Sequence, residues 1–160
     1  MIKFGPSGNS ESFANEKHKS TEEAALWCKE RGLDCYEYSF GRGVNLGEEK
    51  AISIGNAFKN AGLDLSVHAP YFINLATPEE EKAENSYNYI LSSAKMMKLM
   101  QGNRIIFHPA AQGKATRGEA VSKTSDRIRI LRDKIYENGY EDMLFCPETV
   151  SYTHLRAHET

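Results

Sequence analysis

The sequence predicts an α/β fold built on a parallel sheet, and three observations carry that prediction. Short apolar runs alternate with amphipathic stretches of helical period along the chain. Glycine, proline or a capping residue marks nearly every changeover. The 160 residues, 40% of them hydrophobic, suit one ordinary globular domain. Ile2-Lys3-Phe4 reads as a short first strand, ended by the turn-rich Gly5 to Ser10. Ser20 and Glu23 form a capping box for a helix that carries Ala24, Ala25, Leu26 and Cys28 to a stop at Gly32. A second strand at Cys35 to Tyr38 leads into the glycine-rich Gly41-Arg42-Gly43. Ala51, Ile54, Ala57, Phe58 and Ala61 recur at helical spacing before Gly62.

Leu63 to Val67 is a third strand. Thr77 as N-cap, Pro78 at the first helical position and Glu79 to Glu81 at the positive dipole end begin a long helix to about Met100. Arg104 to Phe107 is a fourth strand, apolar enough for burial on both faces. A helix from Glu119 to Asn138 places Val121, Ile128, Leu131 and Ile135 on one face and ends at Gly139. Met143 to Cys146 is a fifth strand. The expectation is thus five parallel strands and four helices.

Twenty Lys and Arg against 22 Asp and Glu give a net charge of -2. That excludes gripping nucleic acid by bulk charge and leaves only a local basic groove. No apolar run approaches the roughly 20 residues that span a bilayer, and the first residues lack the apolar core of a secretory signal. The three cysteines, Cys28, Cys35 and Cys146, show no CxxC spacing. A disulfide scaffold or cysteine-rich zinc site is not expected, and the reducing cytoplasm is the expected compartment. Cys28 and Cys146 read as core residues, and His18 as solvated.

Three polar residues follow three strands. His68 follows Val67, His108 follows Phe107, and Glu148 comes two residues after Cys146, at intervals of 40 residues. In a parallel sheet, equivalent strand ends lie side by side, so the three converge at the C-terminal edge, where α/β proteins place their chemistry. Two imidazoles and a carboxylate are a common zinc ligand set that leaves a position open for water. Pro70, Pro109 and Pro147, next to or close by the three, stiffen the backbone where strand becomes loop. The plainer alternative for each histidine taken singly is a hydrogen-bonded structural role.

The string Val67-His68-Ala69-Pro70-Tyr71-Phe72-Ile73-Asn74-Leu75-Ala76 resembles the hallmark strand and loop of endonuclease IV, the zinc-dependent apurinic/apyrimidinic endonuclease family. Phe107-His108-Pro109 and Cys146-Pro147-Glu148-Thr149 resemble its next two motifs, and Lys3 to Gly8 and Gly32 to Glu37 also fit. The resemblance covers residues 1–149. It implies a TIM-like (β/α)8 barrel with three zinc ions that hydrolyses the phosphodiester 5′ to an abasic site in double-stranded DNA, during base excision repair. On the matched positions it implies that His68 and His108 bind the first zinc and that Glu148, the catalytic carboxylate, bridges the first and second. It further implies that Tyr71 fills space left by the extruded abasic sugar, and that Arg42 is a DNA-inserting side chain. A rim aromatic and a solvated loop charge are the alternatives for these two. Lys114 and Arg117, also on loops at that end, could meet phosphates or simply be solvated.

A closed barrel of this kind needs about 250 residues. Residues 1–149 therefore read as the N-terminal part of such a barrel, an incomplete TIM barrel without the family's later ligands. As such it is expected to be inactive alone and poorly soluble, though a monomer at full length. Residues 150–160 read as a non-native tail. They depart from the glycine-rich continuation that the resemblance leads one to expect, look like translated adapter sequence, and carry His154 and His158 four residues apart. Two other functions remain open: a sugar isomerase or epimerase of the related xylose-isomerase-like barrels, using a divalent metal, and a non-catalytic DNA- or metal-binding domain.

Overall fold

Helix–strand alternation folds as the pattern demands. In the computed structural model, which describes residues 2–149, four parallel strands form one sheet in sequential order. They are β1 (Cys35–Ser39), β2 (Asp64–His68), β3 (Arg104–Phe107) and β4 (Leu144–Pro147). Five helices accompany them: α1 (Glu11–Asn15), α2 (Thr21–Glu30), α3 (Glu48–Ala61), α4 (Glu80–Leu99) and α5 (Arg117–Glu137). The expected tail and the His154–His158 pair lie outside the described residues.

The expected count of five strands and four helices is corrected at the N-terminus. Ile2 to Phe4 form no strand of their own. The segment from Phe4 to Gly8 instead runs beside β1, joined by one parallel bridge between Ser7 and Glu37. Glu37 N–H donates to the Pro6 carbonyl, Gly8 N–H donates to the Glu37 carbonyl, and Cys35 N–H donates to the Phe4 carbonyl. The rung that would complete a ladder needs an N–H from residue 6, and Pro6 has none. Gly5 faces Cys35 so closely that a Cβ there would lie 1.8 Å from its carbonyl oxygen. The extra helix, α1, grows from Ser10, whose hydroxyl accepts from Phe13 N–H, inside the stretch read as turn.

The later elements follow their caps. Ser20 and Glu23 close the expected capping box on α2, and Gly62 ends α3 in the left-handed region. Helix α4 starts at Glu80 rather than Pro78, because Thr77 is held in the preceding loop. A second capping box, Thr116 with Glu119, starts α5 two residues earlier than expected.

Register sorts the strand residues into two faces. Tyr38, Val67, Ile105 and Phe145 share one row, and Ser39, His68, Ile106 and Cys146 share the neighbouring row on the opposite face. The first face packs under the helices. Val67, Ile105 and Phe107 are buried there, and the Tyr36 ring lies 4.8 Å from Phe58 of α3. The opposite face is only partly covered among the described residues, so Ile106 is half-buried and β3 is not sealed on both faces as expected.

Helix α5 departs from its expected face. Ala120, Arg127, Leu131 and Ile135 are its buried positions, whereas Val121 is largely exposed. No helix of the described residues is long and apolar enough to cross a membrane.

Where α3 meets the end of α4, Gly55 allows backbone contact. A Cβ at this position would lie 2.4 Å from the Met100 carbonyl oxygen, an atom that cannot swing away. Gly55→Ala is expected to cost about 1–3 kcal/mol by overpacking. Ile52→Ala, on the exposed side of the same helix, is expected to stay within about 0.5 kcal/mol. Denaturant unfolding of the two variants checks this.

Candidate metal centre

His68 is the last residue of β2, and His108 and Glu148 each stand one residue beyond β3 and β4. The ladder sets their direction. His68 belongs to the row of Ile106 and Cys146; His108 and Glu148 lie two residues past those, so all three point to the open face. Glu148 N–H donates to the Phe107 carbonyl at 2.8 Å, which continues the β3–β4 ladder and sets Glu148 opposite His108. The 40-residue interval coincides with the register for that pair alone. His68 is in register with Ile106, so it sits two residues short of His108, a stagger of the kind that curls sheets toward barrels.

The side chains nevertheless converge. Glu148 Oε2 lies 3.4 Å from His68 Nε2 and 3.4 Å from His108 Nε2, and the donor atoms of the three all fall within 4.8 Å of one another. The imidazole rings meet edge to face, 4.8 Å between centroids at 82°. A hydrogen-bonded carboxylate would stand about 2.7–3.2 Å from a ring nitrogen. Donors of a tetrahedral zinc with bonds of about 2.0–2.1 Å stand about 3.3–3.4 Å apart. The two carboxylate–imidazole spacings are those of coordination edges, and the donor set of two imidazoles and a carboxylate suits a divalent metal. Among the described residues this is the one cluster of three such donors.

One ring is already oriented for ligation. His68 Nδ1 lies 2.9 Å from the Ala69 carbonyl oxygen. A carbonyl only accepts, so Nδ1 is the donor in this contact, and in the neutral ring the lone pair is then on Nε2, which faces Glu148. Glu148 meets both histidines through Oε2, and its side chain is half exposed.

The loops behind the ligands are tied to each other. Ala69 N–H donates to the Ile106 carbonyl, and Leu75 N–H donates to the Pro109 carbonyl at 2.7 Å. Asn74 is the junction: its Oδ1 accepts from Ala76 N–H and Ala111 N–H, and its own N–H donates to Ser86 Oγ on α4. The loop after His68 is thereby fastened to the loop after His108.

The other expected residues have partners of their own or stand exposed on loops and helix ends. Tyr71 is 50% exposed on the β2–α4 loop, and its ring packs 4.3 Å from that of Phe72, which is equally exposed. Arg42 is exposed on the β1–α3 loop, and Tyr71 N–H donates to the carbonyl of its neighbour Gly41. Lys114 and Arg117 are exposed on and just beyond the β3–α5 loop, with no ion pair to either among the described residues. His18 is not free in solvent as expected. It stacks on Phe13 at 4.9 Å and its Nδ1 lies 3.0 Å from Glu23 Oε2. All three cysteines are free, and burial pushes the Cys28 and Cys35 thiols up, away from the thiolate a metal needs.

Comparison with known proteins places the fold. The profile of the xylose isomerase-like TIM barrel family matches residues 25–151. An uncharacterized protein of Methanocaldococcus jannaschii is 31% identical over 155 residues, which is 96% of this chain and 53% of that protein. A probable endonuclease 4 of Malacoplasma penetrans is 26% identical over 88 residues, 55% of this chain and 29% of that protein. The chain spans about half the length of the first of these relatives. Among solved structures, D-psicose 3-epimerase of Clostridium cellulolyticum superposes with a TM-score of 0.66 at 13% identity, covering 84% of this chain and 48% of that one. Endonuclease IV of Thermus thermophilus superposes at 0.51 and 16% identity, covering 71% and 43%.

The His68 tautomer is directly observable. At a pH where the ring is neutral, long-range proton–nitrogen NMR correlations are expected to show the proton on Nδ1. A proton on Nε2 would mean that the Ala69 contact does not orient the ring.

Proposed function

The chain belongs to the xylose isomerase-like TIM barrel family, and from that premise we propose that His68, His108 and Glu148 hold a zinc ion in an endonuclease IV-type enzyme. Its substrate is double-stranded DNA containing an abasic site, and its reaction is hydrolysis of the phosphodiester on the 5′ side of the lesion. The observation that carries this reading is the pair of 3.4 Å separations that set one carboxylate oxygen against two ring nitrogens.

Sequence favours the nuclease over the epimerases. The epimerase structures superpose more closely, but at 12–17% identity they speak for the fold alone. Relatives named probable endonuclease 4 are similar in sequence itself, at 26–31% over 78 to 88 residues. When bound, a zinc ion supplies positive charge that polarises phosphoryl oxygens and makes water a stronger acid. The protein's own groups do the rest. The Ala69 carbonyl holds the His68 ring in its ligating orientation. Glu148 brings the negative charge that two neutral imidazoles lack, and its half-exposed carboxylate suits the bridging role. Tyr71 and Phe72, on the loop that follows His68, form an exposed apolar step suited to packing against a sugar that has lost its base. Arg42 offers a cation to the backbone without reading sequence.

In competition against a chromophoric chelator near neutral pH, the chain is expected to bind one Zn2+. His108→Ala and Glu148→Gln are expected to weaken binding by more than the roughly 10- to 100-fold that loss of an outer partner costs.

Activity is assayed on the product of the whole open reading frame, because the first curated relative is about twice this length. Nicking of an abasic-site duplex, abolished by a chelator and by Glu148→Gln, supports the proposal. Epimerisation of a ketose with no nicking refutes it in favour of the sugar reading, and binding of DNA or metal without turnover refutes it in favour of a non-catalytic domain.

A further inference from the structure

Arg127 is the least expected residue in the core. It lies on the buried stripe of α5, four residues before Leu131 and seven after Ala120, and is 5% exposed. Its guanidinium does not point back along its own helix. Nη1 donates to the Leu75 carbonyl at 3.0 Å and to the Thr77 carbonyl at 2.5 Å, and Nη2 donates to Glu80 Oε1 at 2.5 Å. One side chain therefore holds the last part of the β2–α4 loop and the first turn of α4. The carbonyls it takes stand next to the loop's other anchors: Leu75 N–H on Pro109, and Ala76 N–H on Asn74 Oδ1.

We propose that Arg127 is a positioning residue for the metal centre: its buried fork locks the β2–α4 loop onto the β3–α5 unit and so fixes His68 relative to His108. The proposal rests on the metal reading of the site. The chain of contact is short. Arg127 grips Leu75, Leu75 grips Pro109, and Pro109 adjoins His108. The same loop begins at Ala69, whose carbonyl orients His68. A lysine would keep the charge but reach these diverging acceptors with a single point of donation, whereas the planar guanidinium serves both carbonyls and the carboxylate at once.

Arg127→Met, Arg127→Lys and Leu131→Ala separate positioning from mere stability. Leu131 is a fully buried apolar neighbour on α5, with no bond to the loop, so its truncation destabilises the fold alone. Zn2+ affinity is measured by chelator competition well below each variant's melting temperature, with the Co2+ visible spectrum as a report on ligand geometry. Amide exchange is followed at Leu75, Ala76 and Ala111, against Val67 and Ile105 as references. Both Arg127 variants are expected to lose about 10- to 100-fold in affinity, alter the Co2+ spectrum and speed exchange at the loop amides alone. Leu131→Ala is expected to lower the melting temperature with affinity and spectrum unchanged. Wild-type affinity in the Arg127 variants, or an equal loss in Leu131→Ala, overturns the proposal. If the unmodified chain binds no Zn2+, the metal reading fails by itself, and loop exchange then decides whether Arg127 holds the loop: unaltered exchange overturns that too.

Discussion

The parallel register of β2, β3 and β4 is the constraint on which the rest depends. Side chains alternate strictly across a strand, so residues an even number of steps from a registered row share its face. His68 lies in the row of Ile106 and Cys146, and His108 and Glu148 lie two steps beyond. A slip of one residue in either ladder would send one donor into the helix-packed layer and dissolve the cluster. The helices matter to the site chiefly because they bury Val67, Ile105 and Phe107, and that burial makes a slip expensive.

Strand register alone brings backbones together. The loops convert that into a geometry of side chains. Asn74 and Arg127 supply the fastening, one through a side-chain oxygen shared by two loops, the other through a buried cation that satisfies carbonyls water cannot reach. Rigid ties of this kind suit a centre whose donors must sit within a few tenths of an ångström of a coordination edge. They leave Tyr71 and Phe72 outside the clasp and exposed.

Strands and caps were legible because their signals are local. Arg104 to Phe107 stands where its apolar run indicates, and the Ser20 box begins α2 as the residues demand. The convergence of His68, His108 and Glu148 was legible for a subtler reason. Each residue follows a strand, and parallel strands end on one side of the sheet. What was not legible depends on contacts distant in sequence. The burial of Arg127 has no local signal because its acceptors lie some fifty positions earlier, and with it placed inward, Val121 turns out to solvent. Thr77 looks like an N-cap until its carbonyl is claimed by that same arginine. The edge beside β1 differs from expectation because a strand interrupted by Gly5-Pro6 keeps its carbonyl bonds but forfeits a rung. The Ser10 cap of α1 is the exception, a local signal masked by the turn-forming residues before it.

The central claim is that His68, His108 and Glu148 form one metal centre through a defined set of atoms. Anomalous diffraction at the zinc edge, from crystals grown with Zn2+, tests it most directly. The account predicts an anomalous peak about 2.0–2.2 Å from His68 Nε2, His108 Nε2 and Glu148 Oε2 together. A well-occupied zinc bound elsewhere, or ligated through His68 Nδ1 with the Ala69 contact broken, would contradict it.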